Sequence, residues 1–168
     1  ATNEAQDYVR IANPIAPERS VLRKSLLASV LEVAEKNARA ESIAMFEIGS
    51  IFEPNNNDSS TALRQAQDDS SERVLPNEPR KLALVMTGAR LASAWDVKDS
   101  PAIDFFDMKG RLELLLSGLR LTDISYAVSE SHQHLHPGKA AEVKVSGKVV
   151  GVFGELHPLV KEGYVFDD

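Results

Sequence analysis

The sequence predicts an α+β fold, a mainly antiparallel sheet flanked by helices, and three observations carry that expectation. Residues 141–153 alternate and then reverse as a hairpin does, and two segments repeat apolar residues at the three- and four-residue steps of amphipathic helices. The elements follow one another as helix, strand, loop, strand, helix, strand and hairpin, without the strict alternation of a doubly wound fold.

Taken in order, Pro17 follows the extended Asn13-Pro14 step and marks a helix start, because proline's missing N–H is harmless in a first turn. Leu22, Leu26, Val30 and Ala34 then recur every fourth residue, with Leu27 and Leu31 on the adjoining stripe, so a helix over 17–37 is expected. Core packing accounts for such a face, and so does a helix shared between core and partner. Residues 43–52 read as a buried strand in which Glu47 is the one charge. Burying it unpaired would cost several kcal/mol, so it must be paired or lie at an open face. As a catalytic acid or base, Glu47 lacks a second carboxylate or a nucleophile at a recognisable spacing.

Residues 54–79 are dominated by Asn, Asp, Ser, Gln and Pro and predict a long flexible loop, since they bury too little apolar surface to offset ordering entropy. Residues 80–88 read as a second buried strand, partner to 43–52. Around Trp95 no pattern dominates. Ser100-Pro101 or Asp104 supplies the cap of the next helix, whose Phe105, Met108, Leu112, Leu115, Leu116 and Leu119 form one apolar face. A short strand over 126–130 leads into a His-rich turn.

The hairpin is the most informative stretch. Ala141, Val143 and Val145 alternate with Glu142 and Lys144, Ser146-Gly147-Lys148 reverses the chain, and the apolar run 149–153 returns antiparallel. Gly151 and Gly154 signal a bulge or a second backbone lying close.

With 168 residues and 43% hydrophobic content, one domain spanning 1–168 is expected. Cysteine is absent, which removes disulfides, zinc-thiolate sites and thiol nucleophiles and fits a cytoplasmic setting. No apolar run approaches the ~20 residues that span a bilayer, so no membrane partner is expected. The net charge of −6 argues against a grip on nucleic acid by this segment alone. Arg19, Arg23, Lys24, Lys36 and Arg39 are interleaved with Glu18, Glu32, Glu35 and Glu41 and read as a solvated or salt-bridged face. The first residue is alanine, which suggests a piece of a longer chain.

Four blocks, in this order, carry a resemblance. Asn13-Pro14-Ile15-Ala16 precedes Leu22-Arg23-Lys24-Ser25-Leu26-Leu27; Phe46-Glu47-Ile48-Gly49-Ser50-Ile51-Phe52 follows; then comes Asp104-Phe105-Phe106-Asp107-Met108-Lys109-Gly110. The fourth block is His136-Pro137-Gly138-Lys139-Ala140-Ala141 with Gly151-Val152-Phe153-Gly154-Glu155-Leu156-His157-Pro158. Together they resemble the core of the beta subunit of bacterial phenylalanyl-tRNA synthetase. The resemblance implies a class II aminoacyl-tRNA synthetase-like fold, in the degenerate copy that this family carries beside its catalytic alpha subunit. It implies an alpha2-beta2 assembly that joins phenylalanine to its tRNA using ATP and magnesium, with tRNA met through the whole enzyme. No cofactor and no magnesium ligand is carried over to this segment.

An ATP-using class II site relies on guanidinium groups to neutralise the transferring phosphates. Residues 43–52 contain no arginine, and 151–164 contain only Lys161 as a strong base. The scaffold is therefore expected without activity of its own. Two other functions compete with this one. His132, His134 and His136 stand two apart, a spacing that on a strand aims three imidazoles to one side and would suit a small metal-dependent hydrolase. His136 and His157, each before a proline, read equally as turn residues. The helix over 17–37 would suit a free-standing interaction module. Elbow, P-loop and dinucleotide fingerprints are all missing from the sequence.

Overall fold

The structure is a computed structural model and describes residues 8–17, 20–55, 75–97, 99–129 and 132–165. Its elements are α1 (Leu27–Lys36), β1 (Ser42–Ser50), β2 (Arg80–Gly88), α2 (Phe105–Gly118), β3 (Ile124–Val128), β4 (Leu135–Val145), β5 (Lys148–Leu156) and α3 (Pro158–Lys161). β1 and β2 form a two-stranded sheet, and β3, β4 and β5 form a second sheet in that order. The α+β expectation holds, with antiparallel pairing of β3 to β4 and of β4 to β5. The chain divides into two compact units, Ala1–Val30 with Phe46–Leu84, and Leu31–Met45 with Val85–Asp168.

In the second unit α2 packs on one face of the three-stranded sheet. Alternation on a strand sends Ala141 and Val143 of β4 to the same side, opposite Phe153 and Gly151 of β5. Leu116, Ala141, Val143 and Phe153 are buried there, and Phe105, Met108, Leu112, Ile124 and Tyr126 close around them. Phe105 stacks on Phe153 with ring centroids 4.8 Å apart, and Tyr126 meets Phe153 edge-on at 6.0 Å. Fully burying side chains of this size contributes about 1.5–3 kcal/mol each. α2 begins in register with that face because Asp104 caps it. The Asp104 carboxylate accepts from the N–H groups of Phe106 at 2.8 Å and Asp107 at 3.1 Å, and the Asp107 carboxylate accepts in return from the Asp104 N–H at 2.9 Å. Of the two expected caps, Ser100-Pro101 and Asp104, the second is used.

The hairpin turns at Ser146 and Gly147, with φ of 49° and 75°, so that Val145 pairs with Lys148. Two positive φ values in a two-residue loop match the twist of the flanking strands, and glycine adopts one of them without strain. Gly151 and Gly154 divide the two roles expected of them. Val143 pairs with Gly151 and Lys144 with Val149, which leaves Val150 as a one-residue bulge beside Gly151. At Gly154 the reason is a close backbone: an added Cβ would come within 3.0 Å of the Lys139 carbonyl oxygen and of Ala140 Cα.

Three expectations require correction. The helix over 17–37 is shorter, because residues 20–23 run extended: Leu22 N–H donates to Val9 O at 2.8 Å, and Arg23 O accepts from Phe52 N–H at 2.8 Å. α1 starts at Leu27, whose N–H donates to Ser25 Oγ at 3.1 Å. Leu22 therefore belongs to an extended segment although it falls on the helical stripe. The strand over 43–52 is not buried throughout. Ile43 and Ile51 are 5% exposed, whereas Phe46 is 68% and Ile48 55% exposed, because alternate residues face opposite sides and only one side is covered by the described residues. β2, also expected to be buried, has no fully buried residue: Arg80, Lys81, Leu82 and Gly88 are exposed and the residues between are half-buried. Thirdly, β3 spans Ile124–Val128, earlier than the expected 126–130. Most of the loop expected over 54–79 lies outside the described residues.

Candidate functional site

Two clusters gather the residues singled out in the sequence, one in each unit. In the first unit Glu47 is paired, as its place in an apolar strand required. Arg23 Nη1 lies 2.5 Å from Glu47 Oε1, and Arg23 Nε donates to Ser50 O at 3.0 Å. The extended run 20–23 brings Arg23 beside β1, and Gly49 makes room for it, since a Cβ there would approach Arg23 Nη2 within 3.0 Å. The pair is partly solvated, with side-chain exposures of 41% and 30%. Arg23 thus supplies the partner that Glu47 needs, through a charge-assisted hydrogen bond at the edge of the strand. Asn13 and Pro14 are exposed and belong to no helix or strand.

In the second unit the His-Pro-Gly stretch does not end a strand; it lies within β4 as a wide bulge. Leu135 pairs with Leu156 and Ala140 with Gly154, so residues 136–139 stand opposite Glu155 alone. His136 Nδ1 accepts from the Gly138 N–H at 3.1 Å, and Lys139 Nζ reaches Glu155 Oε2 at 2.6 Å across the bulge. Pro137 donates no ladder hydrogen bond, which a bulge does not require. His157 caps α3 through Nδ1, accepting from Leu159 N–H at 3.2 Å, with Pro158 in the first turn. Its own N–H donates to His134 O at 3.0 Å.

The three histidines spaced two apart do not share one face. His132 and His134 lie in a turn closed by Leu135 N–H donating to His132 O at 3.0 Å, and their ring centroids are 5.6 Å apart. His136 belongs to the strand and commits Nδ1 to Gly138. Among the described residues no three His, Asp or Glu side chains converge to hold a metal ion. Burial, and then the neighbouring His132, push the His134 imidazole below the ordinary histidine range.

A second arginine cluster has no counterpart among the sequence signals. Arg90 donates through Nε and Nη2 to Asp107 Oδ2 at 3.0 and 2.9 Å, and through Nη2 to Asp104 Oδ2 at 3.2 Å. The Asp104 N–H and then Arg90 hold the Asp107 carboxyl below the usual aspartate range, while Asp107 raises Arg90. Nothing local in sequence links positions 90 and 107. The expected solvated face resolves into separate contacts: Arg23 serves Glu47, Lys24 sits 5.4 Å over the Tyr8 ring, Glu41 accepts from Ser93 N–H, and Glu35 accepts from Val165 N–H. Glu18 and Arg19 lie outside the described residues.

The arrangement is therefore one of two guanidinium groups matched by carboxylates, and of histidines spent on turns and caps. Across the whole chain, residues 1–168, the sequence matches the family model described as the phenylalanyl tRNA synthetase beta chain CLM domain. The chain belongs to that family. Among curated relatives, the phenylalanine–tRNA ligase beta subunit of Moorella thermoacetica is 39% identical over 153 residues, covering 89% of this chain and 17% of the relative. That of Symbiobacterium thermophilum is 38% identical over 154 residues, 90% of this chain and 15% of the relative. That of Syntrophus aciditrophicus is 35% identical over 160 residues, 94% of this chain and 18% of the relative. The chain thus spans less than a fifth of the length of these beta subunits, and its four sequence blocks lie within a phenylalanyl-tRNA synthetase beta chain domain. No helix among the described residues is long and apolar enough to cross a membrane.

Proposed function

We propose that this chain is the non-catalytic, class II synthetase-like core of a phenylalanine–tRNA ligase beta subunit, acting as one domain that packs against the catalytic alpha subunit. The whole enzyme is then a cytoplasmic alpha2-beta2 assembly that attaches phenylalanine to tRNA with ATP and magnesium, and this domain supports that reaction without performing it. The observation that carries the reading is the state of the arginines. Arg23 is engaged by Glu47 and Ser50, and Arg90 by Asp104 and Asp107. A triphosphate approaching either would have to displace a carboxylate already in place, and the net charge of −6 opposes it further. β1 and β5 carry no arginine to replace them. The exposed Phe46 and Ile48 on β1 suit a surface completed by other polypeptide.

Calorimetry with ATP, and separately with phenylalanine, tests this reading. Heats no larger than buffer dilution are expected, and saturable binding of either would defeat it. Titration with purified alpha subunit tests the packing role, for which a saturable interaction is expected.

A further inference from the structure

Two imidazoles at the start of β4 are not used by the fold. His136 and His157 each commit Nδ1 to a backbone N–H, that of Gly138 and that of Leu159. The side chains of His132 and His134 make no hydrogen bond among the described residues, and their rings lie together, centroids 5.6 Å apart and planes at 60°. Both residues are half-buried. An imidazole has two ring nitrogens to satisfy, and here four nitrogens in one partly open place are left to water or to an ion.

The backbone sets this pair in position at both ends. Leu135 N–H donates to His132 O at 3.0 Å and closes the turn, while His157 N–H donates to His134 O at 3.0 Å and Leu135 pairs with Leu156. Only the side-chain torsions remain to be ordered when a ligand arrives, which keeps the entropic cost of binding small.

We propose that His132 and His134 together bind one divalent transition-metal ion of the zinc, nickel or copper class. With metal–nitrogen bonds of about 2.0–2.1 Å at a near-tetrahedral angle, two coordinating imidazoles have centroids roughly 5 Å apart. The observed 5.6 Å exceeds that only slightly, and rotation about Cβ–Cγ, a broad torsion, turns a nitrogen of each ring inward. Imidazole suits zinc, copper and nickel, whereas magnesium and calcium take oxygen ligands. The pair is therefore no ligand set for the magnesium of the proposed ligase reaction. Two protein ligands leave the remaining coordination positions to water. The ion clamps the turn, and because His134 O holds the N–H of His157, whose side chain caps α3, it braces the end of β5 and the start of α3 as well.

Calorimetric titration of the 168-residue chain, made without a histidine tag, with copper, nickel, zinc and magnesium chlorides tests this. One equivalent of transition metal per chain is expected, tightest for copper, with no saturable binding of magnesium. His132→Gln and His134→Gln should each weaken copper binding roughly tenfold or more, since even outer-shell changes at metal sites cost that much. His136→Gln should leave it unchanged, and circular dichroism verifies that each variant folds. Electron paramagnetic resonance of the copper complex of the parent chain is a readout that needs no variant, and coupling to nitrogens of two imidazoles is expected. Absence of saturable copper binding overturns the proposal. So does binding that neither His132→Gln nor His134→Gln weakens, or a spectrum with one imidazole nitrogen or none. A loss in His136→Gln equal to that in the other two overturns the two-ligand assignment.

Discussion

Lys139 and Glu155 meet at 2.6 Å across a bulge in which four residues of β4 stand opposite one of β5. The contact closes the widest interruption of the sheet, yet its side chains are 52% and 37% exposed. Solvent screening leaves such a pair under about 1 kcal/mol. Lys139→Met is therefore expected to shift the urea midpoint only slightly, and the shift should vanish at high salt, which equilibrium unfolding at two salt concentrations measures.

Gly154 lies under the same bulge and behaves differently. A methyl group there collides with the Lys139 carbonyl and Ala140 Cα, both backbone, so the strands must separate. Gly154→Ala is expected to cost about 1–3 kcal/mol in chemical unfolding. Gly110→Ala, where the added methyl group meets nothing within 4 Å, should be neutral or stabilising.

Phe46 lies in β1 and Ile51 just beyond its end, and the first is exposed while the second is buried. Ile51→Ala should destabilise by about 2–5 kcal/mol because Ile51 is 5% exposed. Phe46→Ser, at 68% exposure, should change thermal stability within roughly 0.5 kcal/mol. If Phe46 belongs to a surface that alpha covers, the same variant will weaken the complex while leaving the isolated chain intact.

Asp107 and His134 give the chain an acid sensitivity of predictable sign. Both are held below their ordinary values, Asp107 by the Asp104 N–H and Arg90, His134 by burial and His132. A group whose folded value is lowered takes up more protons when unfolded, so its contribution is present above the unfolded value and is lost as pH falls to the folded one. Stability should therefore decline first through the ordinary histidine range and again through the aspartate range. His134→Gln should flatten the first step and Asp107→Asn the second, in unfolding measured as a function of pH.

How far the sequence could be read depended on whether a signal was local. The hairpin was legible because alternation and a Ser-Gly turn are enough to specify it, and α2 because Asp104 and its apolar face agree. Glu47 announced that it needed a partner, but only the extended path of residues 20–23 reveals that Arg23 is that partner. Leu22 misled because a four-residue repeat continues past the point where Ser25 starts the helix. The three histidines misled in a similar way, since even spacing implies a shared face only on a regular strand, and His132 and His134 lie in a turn. Arg90 with Asp104 and Asp107 had no sequence signal, because the contact depends on tertiary placement.

Among the described residues β5 is an edge of its sheet, and its Val149-Val150-Gly151-Val152-Phe153 run is the kind of segment that stacks strand upon strand into fibres when it lies flat and unguarded. The extra residue at Val150 twists that border out of plane, and Lys148 places a charge at its mouth. Removing the kink, by deleting Val150, would straighten the border into a template, and that variant is expected to precipitate at a lower concentration than its parent.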